Sequence, residues 1–313
     1  YILGADNVCN RIPVARDGSC NGLQHYAAVL RDPVAAAATN VVAATDCTVA
    51  DIYSKVGLAA GARIKRTGSE TSWMAYSVGL PRKLSKKPVM TLPYGATKRS
   101  CVDSVLDWLA AEDLPEFPST SRMTDAQWCT NHLWDAIGDV VISARLAMDW
   151  LQKVASIMAK ANKSMVWTTP TGFVIHQARH KLKTKRVRTQ LGGAASLQIG
   201  QFTDELDPRK QSAGAAPNYV HGNDGCHLQM TVERLPDVTA FAMVHDSFGT
   251  YACDTDKLDR AIREAFVELY DGWHPLEVLR MELQSNADIS LPTVPEQGDL
   301  DISLVLESPY FFS

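Results

Sequence analysis

The chain has 313 residues, 46% of them apolar or aromatic, so it can bury a large core and is long enough for two domains or one domain with a large insertion. Its net charge of −4, from 31 basic and 35 acidic residues, excludes a global basic field, so any nucleic-acid binding must come from local clusters. Seven cysteines without a CxxC pair favour a reducing compartment, and the absence of a run of about 18 apolar residues excludes a membrane-spanning helix.

The first 46 residues combine short strands with one helix. Residues 1–4 and 12–15 have the composition of strands, and Asp17 follows the second of them. An apolar run over residues 23–30 then predicts a helix. Asp17 is therefore expected at a strand's end.

Helical segments are predicted to take over after residue 46. Apolar residues at helix spacing begin at Val49, and residues 61–72 have the composition of an exposed loop. Residues 81–95 are predicted to form a helix, in which Pro88 and Pro93 indicate a bend or an altered last turn.

One face of this helix suits a nucleotide. Arg82, Lys86, Met90 and Tyr94 recur every four residues and so share that face. The two cations could bind phosphates, with base and sugar beside the thioether and the phenol. A solvated basic face on a surface helix is the alternative.

The middle of the chain is predicted to be mainly helical, with strands near its end. Helices are expected over residues 102–111 and, as one long amphipathic helix, over residues 125–160. Residues 166–177 predict two strands, and residues 192–210 a loop or hairpin. Residues 216–232 are expected to begin as a loop and become helical near Cys226.

A basic run without acidic residues lies between these segments. Its basic residues are Arg179, Lys181, Lys183, Lys185, Arg186 and Arg188. Alternation along an extended strand would place several of them on one side, where they could contact phosphates. An edge strand protected by solvated lysines is the alternative.

Residues 241–251 place a second carboxylate at a strand end. Two short apolar arms flank His245, Asp246 and Ser247, so a hairpin would lift Asp246 out of a half-buried sheet. Ordinary turn chemistry would explain Asp246 alone. Together with Asp17, however, it could hold two Mg²⁺ ions about 3.5–4 Å apart for in-line phosphoryl transfer.

The last segments are predicted to cover the sheet. Residues 258–269 form an amphipathic pattern that predicts a helix on its back, and residues 291–301 are rich in turn formers. The apolar, aromatic residues 303–313 predict a tail packed into the fold.

Three of these segments together resemble the single-subunit DNA-directed RNA polymerases of bacteriophages and mitochondria. Residues 17–32 (DGSCNGLQHYAAVLRD) resemble motif A, residues 82–95 (RKLSKKPVMTLPYG) motif B, and residues 245–250 (HDSFGT) motif C. Residues 217–228 and the closing ESPYFFS are also similar to that family, in collinear order.

The resemblance implies an α+β right-hand polymerase fold. Residues 1–46 and 228–313 would form the palm and residues 47–227 the fingers, with a hairpin over residues 194–210 as the promoter-specificity loop. The thumb and the N-terminal promoter-binding region of the family are not in this sequence. Because the chain also begins with Tyr1, an N-terminal part is expected to be missing, cleaved or carried on a second polypeptide.

The resemblance also implies roles for individual residues. Asp17, Asp246 and the Gly18 carbonyl would bind two Mg²⁺ ions, and His245 would contact the RNA 3′ end. Further residues would surround the incoming nucleotide. Those assigned to its phosphates are Arg82, Lys86 and Lys87, and those assigned to its base and sugar are Met90, Tyr94, Gly95 and His227. Tyr94 and His227 together would favour ribose over deoxyribose.

Two departures from the family pattern accompany these expectations. Pro88 and Pro93 replace ordinary helix residues, and Arg99 stands where the family usually has an aromatic residue. A DNA polymerase of the same superfamily is one rival hypothesis, although Ser247 follows Asp246 where that family has Glu. A non-catalytic nucleic-acid-binding subunit is another.

The expected partners are a DNA template, an RNA product and NTPs, with no membrane. The expected location is the cytoplasm of an infected bacterium or, as the alternative, the mitochondrion.

Overall fold

A computed structural model of the chain describes residues 11–44, 48–68, 71–189 and 195–313. These residues form an α+β fold of helices and small antiparallel sheets. The strand predicted over residues 1–4 lies outside the described residues. Across the described ranges, no helix combines the length and apolar character needed to cross a bilayer.

The regular elements are as follows. The strands are β1 (Pro13–Asp17), β2 (Met165–Thr168), β3 (Val174–Gln177), β4 (His180–Thr189), β5 (Ala195–Leu206), β6 (Phe241–Val244) and β7 (Ser247–Tyr251). The α-helices are α1 (Asn21–Val29), α2 (Pro33–Ala38), α3 (Ile52–Thr67), α4 (Arg82–Thr91), α5 (Lys98–Glu112), α6 (Arg122–Val140), α7 (Ile142–Lys160), α8 (Pro208–Glu233), α9 (Thr255–Tyr270) and α10 (Pro275–Ala287). Short 3₁₀ turns occupy Ser72–Tyr76, Leu92–Tyr94, Ala252–Asp254 and Ile302–Glu307.

The largest sheet brings the two ends of the described chain together. β7 lies between β1 and β6 and pairs antiparallel with both. The hairpin of β6 and β7 is the one predicted from the sequence. Helix α9 packs on β7, so the predicted cover of the sheet is also confirmed. Phe248 of β7 is fully buried beneath it.

The tail packs into the fold as predicted. Phe311 and Phe312 are buried in an aromatic cluster with Phe248 and Phe266. Residue Ser313 continues the sheet at its β1 edge, because the backbones of Asp17 and Ser313 exchange hydrogen bonds of 3.0 and 3.1 Å. The backbone of Asp17 is therefore held from both sides.

Two helix predictions were wrong in their bounds. Helix α3 continues to Thr67, where a loop was predicted from residue 61; it ends at Gly68, whose φ of 60° is a left-handed cap that glycine adopts readily. The predicted helix over residues 125–160 is two helices, because Val141 leaves helical geometry at φ −115° and ψ 57°.

A third prediction was wrong about residues 216–232, which are helical throughout. Helix α8 begins at Pro208, after Asp207 caps it, and runs through Pro217. Pro217 packs against Gly95, where an added Cβ would come within 2.8 Å of its ring. The Tyr26 hydroxyl donates to the neighbouring Ala216 carbonyl at 3.2 Å. Such tertiary contacts offset the cost of an interior proline.

Helix α4 follows the prediction for residues 81–95. It is α-helical to Thr91 despite Pro88. Its last turn tightens into the 3₁₀ turn that contains Pro93 and Tyr94. The altered last turn expected from the two prolines is therefore present.

Candidate active site

Asp17 and Asp246 lie next to each other at one end of the central sheet. Asp17 pairs with Ser247 across β1 and β7, and Asp246 precedes Ser247 in the hairpin turn. The Gly18 amide donates to the Asp246 carbonyl at 3.2 Å, which joins the two turns. His245 has φ 53°, a left-handed conformation that costs a non-glycine residue free energy. The turn therefore places the strained residue, His245, directly before Asp246.

The two carboxylates repel each other. Partial burial, followed by the charge of Asp246, raises the pKa of Asp17, against the lowering effects of the Gly18 amide and the Lys86 charge. Converging carboxylate oxygens are the ligands that a hard divalent cation such as Mg²⁺ prefers, and its charge would offset the repulsion. The chemistry of these two side chains therefore suits Mg²⁺, although the described residues contain no group of three or more His, Cys, Asp or Glu side chains placed to hold a metal ion.

The lysines of α4 point in different directions. Lys83 and Lys87 form ion pairs with acidic residues of α5 at 2.6 and 2.9 Å. No ion pair of Lys86 occurs within the described ranges, and its charge acts on Asp17. Met90, one turn further along, is exposed. The charge of Lys86 thus acts on Asp17, whereas Lys87 is engaged by α5.

Arg82 is held at a cavity beside the turn after Asp17. Its Nε donates to Asp51 at 2.7 Å, and its guanidinium carbon lies 5.1 Å from the centre of the Tyr53 ring. The Tyr53 hydroxyl donates to the Ser19 carbonyl at 3.3 Å, which links this arrangement to the turn. These residues line a cavity of about 420 Å³. Because the bond to Asp51 uses Nε, the two terminal nitrogens of Arg82 can bind an anion.

Tyr94 lies between α1 and α8. Its ring stacks on His221 with centroids 4.8 Å apart and planes 21° apart. Gly22 permits close packing on α1, because a Cβ there would lie 3.0 Å from Cζ of Tyr94. Burial first, and then the charges of Asp224 and Asp246, raise the pKa of Tyr94, so its hydroxyl stays protonated near neutral pH.

His227, the other residue assigned to sugar selection, lies in the hydrophobic core. His227 is fully buried, packs on Phe248 and Phe266, and has Nε2 2.8 Å from the Ile262 carbonyl. Burial lowers its pKa to about 4, so it is a neutral core residue. Six residues separate it from His221 on α8, a spacing that turns the two side chains to different faces.

Four residues around this site were not predicted from the sequence: Asn21, Asp51, His221 and Asp224. The last two lie three residues apart on one face of α8. Recognising residues 216–232 as fully helical would have placed them together.

Five of the six residues of the basic run lie on β4, which forms a two-stranded ribbon with β5, and Arg179 directly precedes this strand. All six basic residues of the run are exposed. A groove of about 980 Å³ at the base of the ribbon adds cations from α7 and α8. The basic residues that line it are Lys160, Lys181, Lys183, Arg209 and Lys210. It also borders Gly95, so it leads toward Tyr94.

Comparisons with known proteins identify the family to which the chain belongs. A family profile described as DNA-dependent RNA polymerase matches residues 5–289. Over 319 residues the chain is 36% identical to the chloroplastic/mitochondrial DNA-directed RNA polymerase 2 of Arabidopsis thaliana, covering 98% of this chain and 31% of that protein. Over 314 residues it is 37% identical to the DNA-directed RNA polymerase of Pseudomonas phage phiKMV, covering 96% of this chain and 37% of that protein.

The chain spans about a third of the length of the curated relatives it matches. The profile nevertheless covers most of the chain, and both the phage and the organellar relative match along nearly all of it. The chain belongs to the DNA-dependent RNA polymerase family.

Proposed function

We propose that this chain carries the catalytic site of a DNA-directed RNA polymerase, which adds nucleotides from NTPs to an RNA 3′ end on a DNA template. The observation that carries the proposal is the juxtaposition of the Asp17 and Asp246 carboxylates with Lys86, beside Arg82 and Tyr94. The names of the phage and organellar relatives support the same reaction.

Asp17, Asp246 and the Gly18 carbonyl would hold two Mg²⁺ ions. When bound, such ions lower the pKa of the attacking 3′-hydroxyl and neutralise charge on the phosphoryl group. Asp17 and Asp246 must both be ionised for this role.

The remaining residues would position the substrates. Arg82 would bind phosphate oxygens through its two terminal nitrogens, and Lys86 would add a point charge nearer the carboxylates. His245, exposed in the hairpin turn, would contact the RNA 3′ end. Tyr94 would lie beside the ribose, stacked on His221. Precise positioning of this kind supplies much of the rate enhancement in phosphoryl transfer.

The element order supports a division into palm and fingers. The palm would comprise residues 1–46 and 228–313, which contribute every strand of the central sheet, and residues 47–227 would form the fingers. The β4–β5 ribbon would contact DNA as a promoter-specificity loop.

Other parts of such an enzyme would lie outside this sequence. Because the chain spans about a third of its relatives' length, the thumb and promoter-binding parts would come from other residues or another polypeptide. A phage enzyme would work in the host cytoplasm, and an organellar one in the mitochondrion.

Primer extension tests the proposal. The complete polypeptide that contains this chain is given a DNA template with an annealed RNA primer, Mg²⁺, and either NTPs or dNTPs. Templated extension that prefers NTPs is expected. A preference for dNTPs would identify a DNA polymerase instead. Tight template binding without extension by either substrate would identify a non-catalytic subunit.

A further inference from the structure

Two buried polar residues lie beside Tyr94 and have no part in the chemistry proposed above. Asn21 of α1 is 2% exposed and Asp224 of α8 is 6% exposed. The Asn21 Nδ2 atom donates to Asp224 Oδ1 at 2.8 Å. Burying a carboxylate is costly, and apolar residues would pack two helices together without that cost. The pair therefore calls for a specific role.

The elements that carry this pair are those that hold the Tyr94 ring. Gly22, adjacent to Asn21, packs against the ring from α1. His221, three residues before Asp224, stacks on it from α8. The side chains of Asn21 and Asp224 thus meet between α1 and α8, the two helices that pack against Tyr94.

The hydrogen bond to Asp224 fixes the direction of the Asn21 amide. An ionised carboxylate only accepts hydrogen bonds, so it selects Nδ2 rather than Oδ1 of Asn21. Burial raises the pKa of Asp224 to about 6, so the group is ionised at pH 8. The Asn21 amide also lies close enough to the Tyr94 hydroxyl to act as a hydrogen-bond donor to it, which lowers the pKa of Tyr94 against the larger raising effect of burial.

A Tyr94 oxygen that accepts a hydrogen bond from the Asn21 amide would have its own proton available for a ligand. We propose that Asn21 and Asp224 are positioning residues for sugar selection, which orient the Tyr94 hydroxyl so that it donates its proton toward the 2′-hydroxyl of the incoming nucleotide. The inference rests on the proposed function, because it deepens the role of Tyr94 at the same site. Asp224 acts indirectly, because it orients the Asn21 amide, and this amide in turn orients the Tyr94 hydroxyl.

The test measures the ratio of kcat/KM for NTP to kcat/KM for dNTP on one template at pH 8. Asn21→Ala and Asp224→Ala are each expected to lower this ratio at least about fivefold. Without its positioning residues the Tyr94 hydroxyl is mobile, so it no longer distinguishes an NTP, which has a 2′-hydroxyl, from a dNTP, which lacks one. Asp224→Asn keeps an acceptor oxygen and should hold the ratio within about twofold of the unchanged protein. Asn21→Ser also removes the amide but leaves a smaller cavity than Asn21→Ala does. It replaces Asn21→Ala in the test if that variant does not fold.

Two controls separate positioning from general damage. Asn218 lies on the same helix and donates to Gln177 at 2.8 Å, away from Tyr94, so Asn218→Ala should leave the ratio unchanged. In a Tyr94→Phe background, Asn21→Ala should cause no further change, because the hydroxyl through which it acts is already absent.

Unchanged ratios in folded Asn21→Ser and Asp224→Ala proteins would overturn the inference. The inference would also be overturned if Asn21→Ala lowered the ratio equally in the unchanged protein and in the Tyr94→Phe background. Failure of the unchanged protein to extend RNA with NTPs is a different result, which would overturn the proposed function itself and this inference with it.

Discussion

At the scale of single residues, sugar selection is proposed to depend on the hydroxyl of Tyr94. Tyr94→Phe should lower the NTP-to-dNTP ratio of kcat/KM by about 5- to 150-fold, the equivalent of about 1–3 kcal/mol for a buried polar group left unpaired by a deoxynucleotide. The stacked His221 and the packing on Gly22 remain. Single-nucleotide extension measures the ratio.

Tyr76→Phe provides the matched control. Tyr76 packs in a separate aromatic cluster with Trp73 and Trp108, so the same loss of a hydroxyl there should leave the ratio unchanged. An unchanged ratio in Tyr94→Phe would make Tyr94 a packing residue only.

Site residues at the ends of strands could be predicted from the sequence. Site residues whose place depends on tertiary burial could not. Asp17 and Asp246 were each predicted from a short run of strand-forming residues that leads into the acid. His221 and His227 are the same residue type six positions apart, and only the packing of α8 shows that one is exposed and the other fully buried. Asn21 and Asp224 meet through tertiary structure that no local pattern records.

At the scale of elements, helix α4 is expected to separate substrate binding from template binding. Lys86→Ala should raise KM for NTPs about 10- to 150-fold, through loss of a charge-assisted phosphate contact of about 1.5–3 kcal/mol. Lys83→Ala removes the same charge from a side chain that is paired with α5 and should change KM little. Equal losses of template affinity and NTP use in Lys86→Ala would assign the helix to the nucleic-acid path instead.

The groove at the base of the ribbon is expected to bind a nucleic-acid backbone. The double change Arg209→Ala and Lys210→Ala should weaken template binding at 0.1 M salt and reduce the slope of log K against log salt by about 1.4–1.8, for two lost phosphate contacts. Fluorescence anisotropy across a salt series measures this slope. The exposed Lys257 and Arg260 of α9, changed to Ala together, are the control. Equal slopes in the two double variants would exclude the groove from the interface.

Elements were predicted well where one pattern dominates. The hairpin of β6 and β7 and the helix α9 have clear periodicity, and both are present. Helix α8 was partly missed because Pro217 and several glycines resemble a loop locally, whereas the helix is held by packing against α1, α7 and α9. The break at Val141 was missed because the apolar stripe runs through it, with Ile137 and Ala144 buried on either side.

At the scale of the whole molecule, the repulsion between Asp17 and Asp246 should couple stability to divalent cations. The folded state raises the pKa of Asp17, so ionised Asp17 costs stability above that pKa, and the cost disappears as pH falls through it or when a cation binds. Mg²⁺ at 100 times its Kd should therefore stabilise the protein by about 2.7 kcal/mol. Thermal melts with and without Mg²⁺ measure this.

Asp17→Asn gives the complementary result. It should be at least as stable as the unchanged protein without Mg²⁺, because the repulsion is gone, and should lose the Mg²⁺-dependent rise in Tm. A full rise in Tm in this variant would place the cation elsewhere.

Catalysis is proposed to depend on Asp17 and Asp246 as a pair, and the rate of templated RNA extension in Asp17→Asn and Asp246→Asn tests that role. Each amide keeps the shape of the side chain and loses the charge, so each rate should fall at least about 10³-fold, the equivalent of about 4 kcal/mol of transition-state stabilisation. Asp254→Asn, at an acid that follows β7 and forms an ion pair with Lys257, should stay active. Near-normal Mg²⁺-dependent extension by either variant, folded and bound to template, would contradict the account.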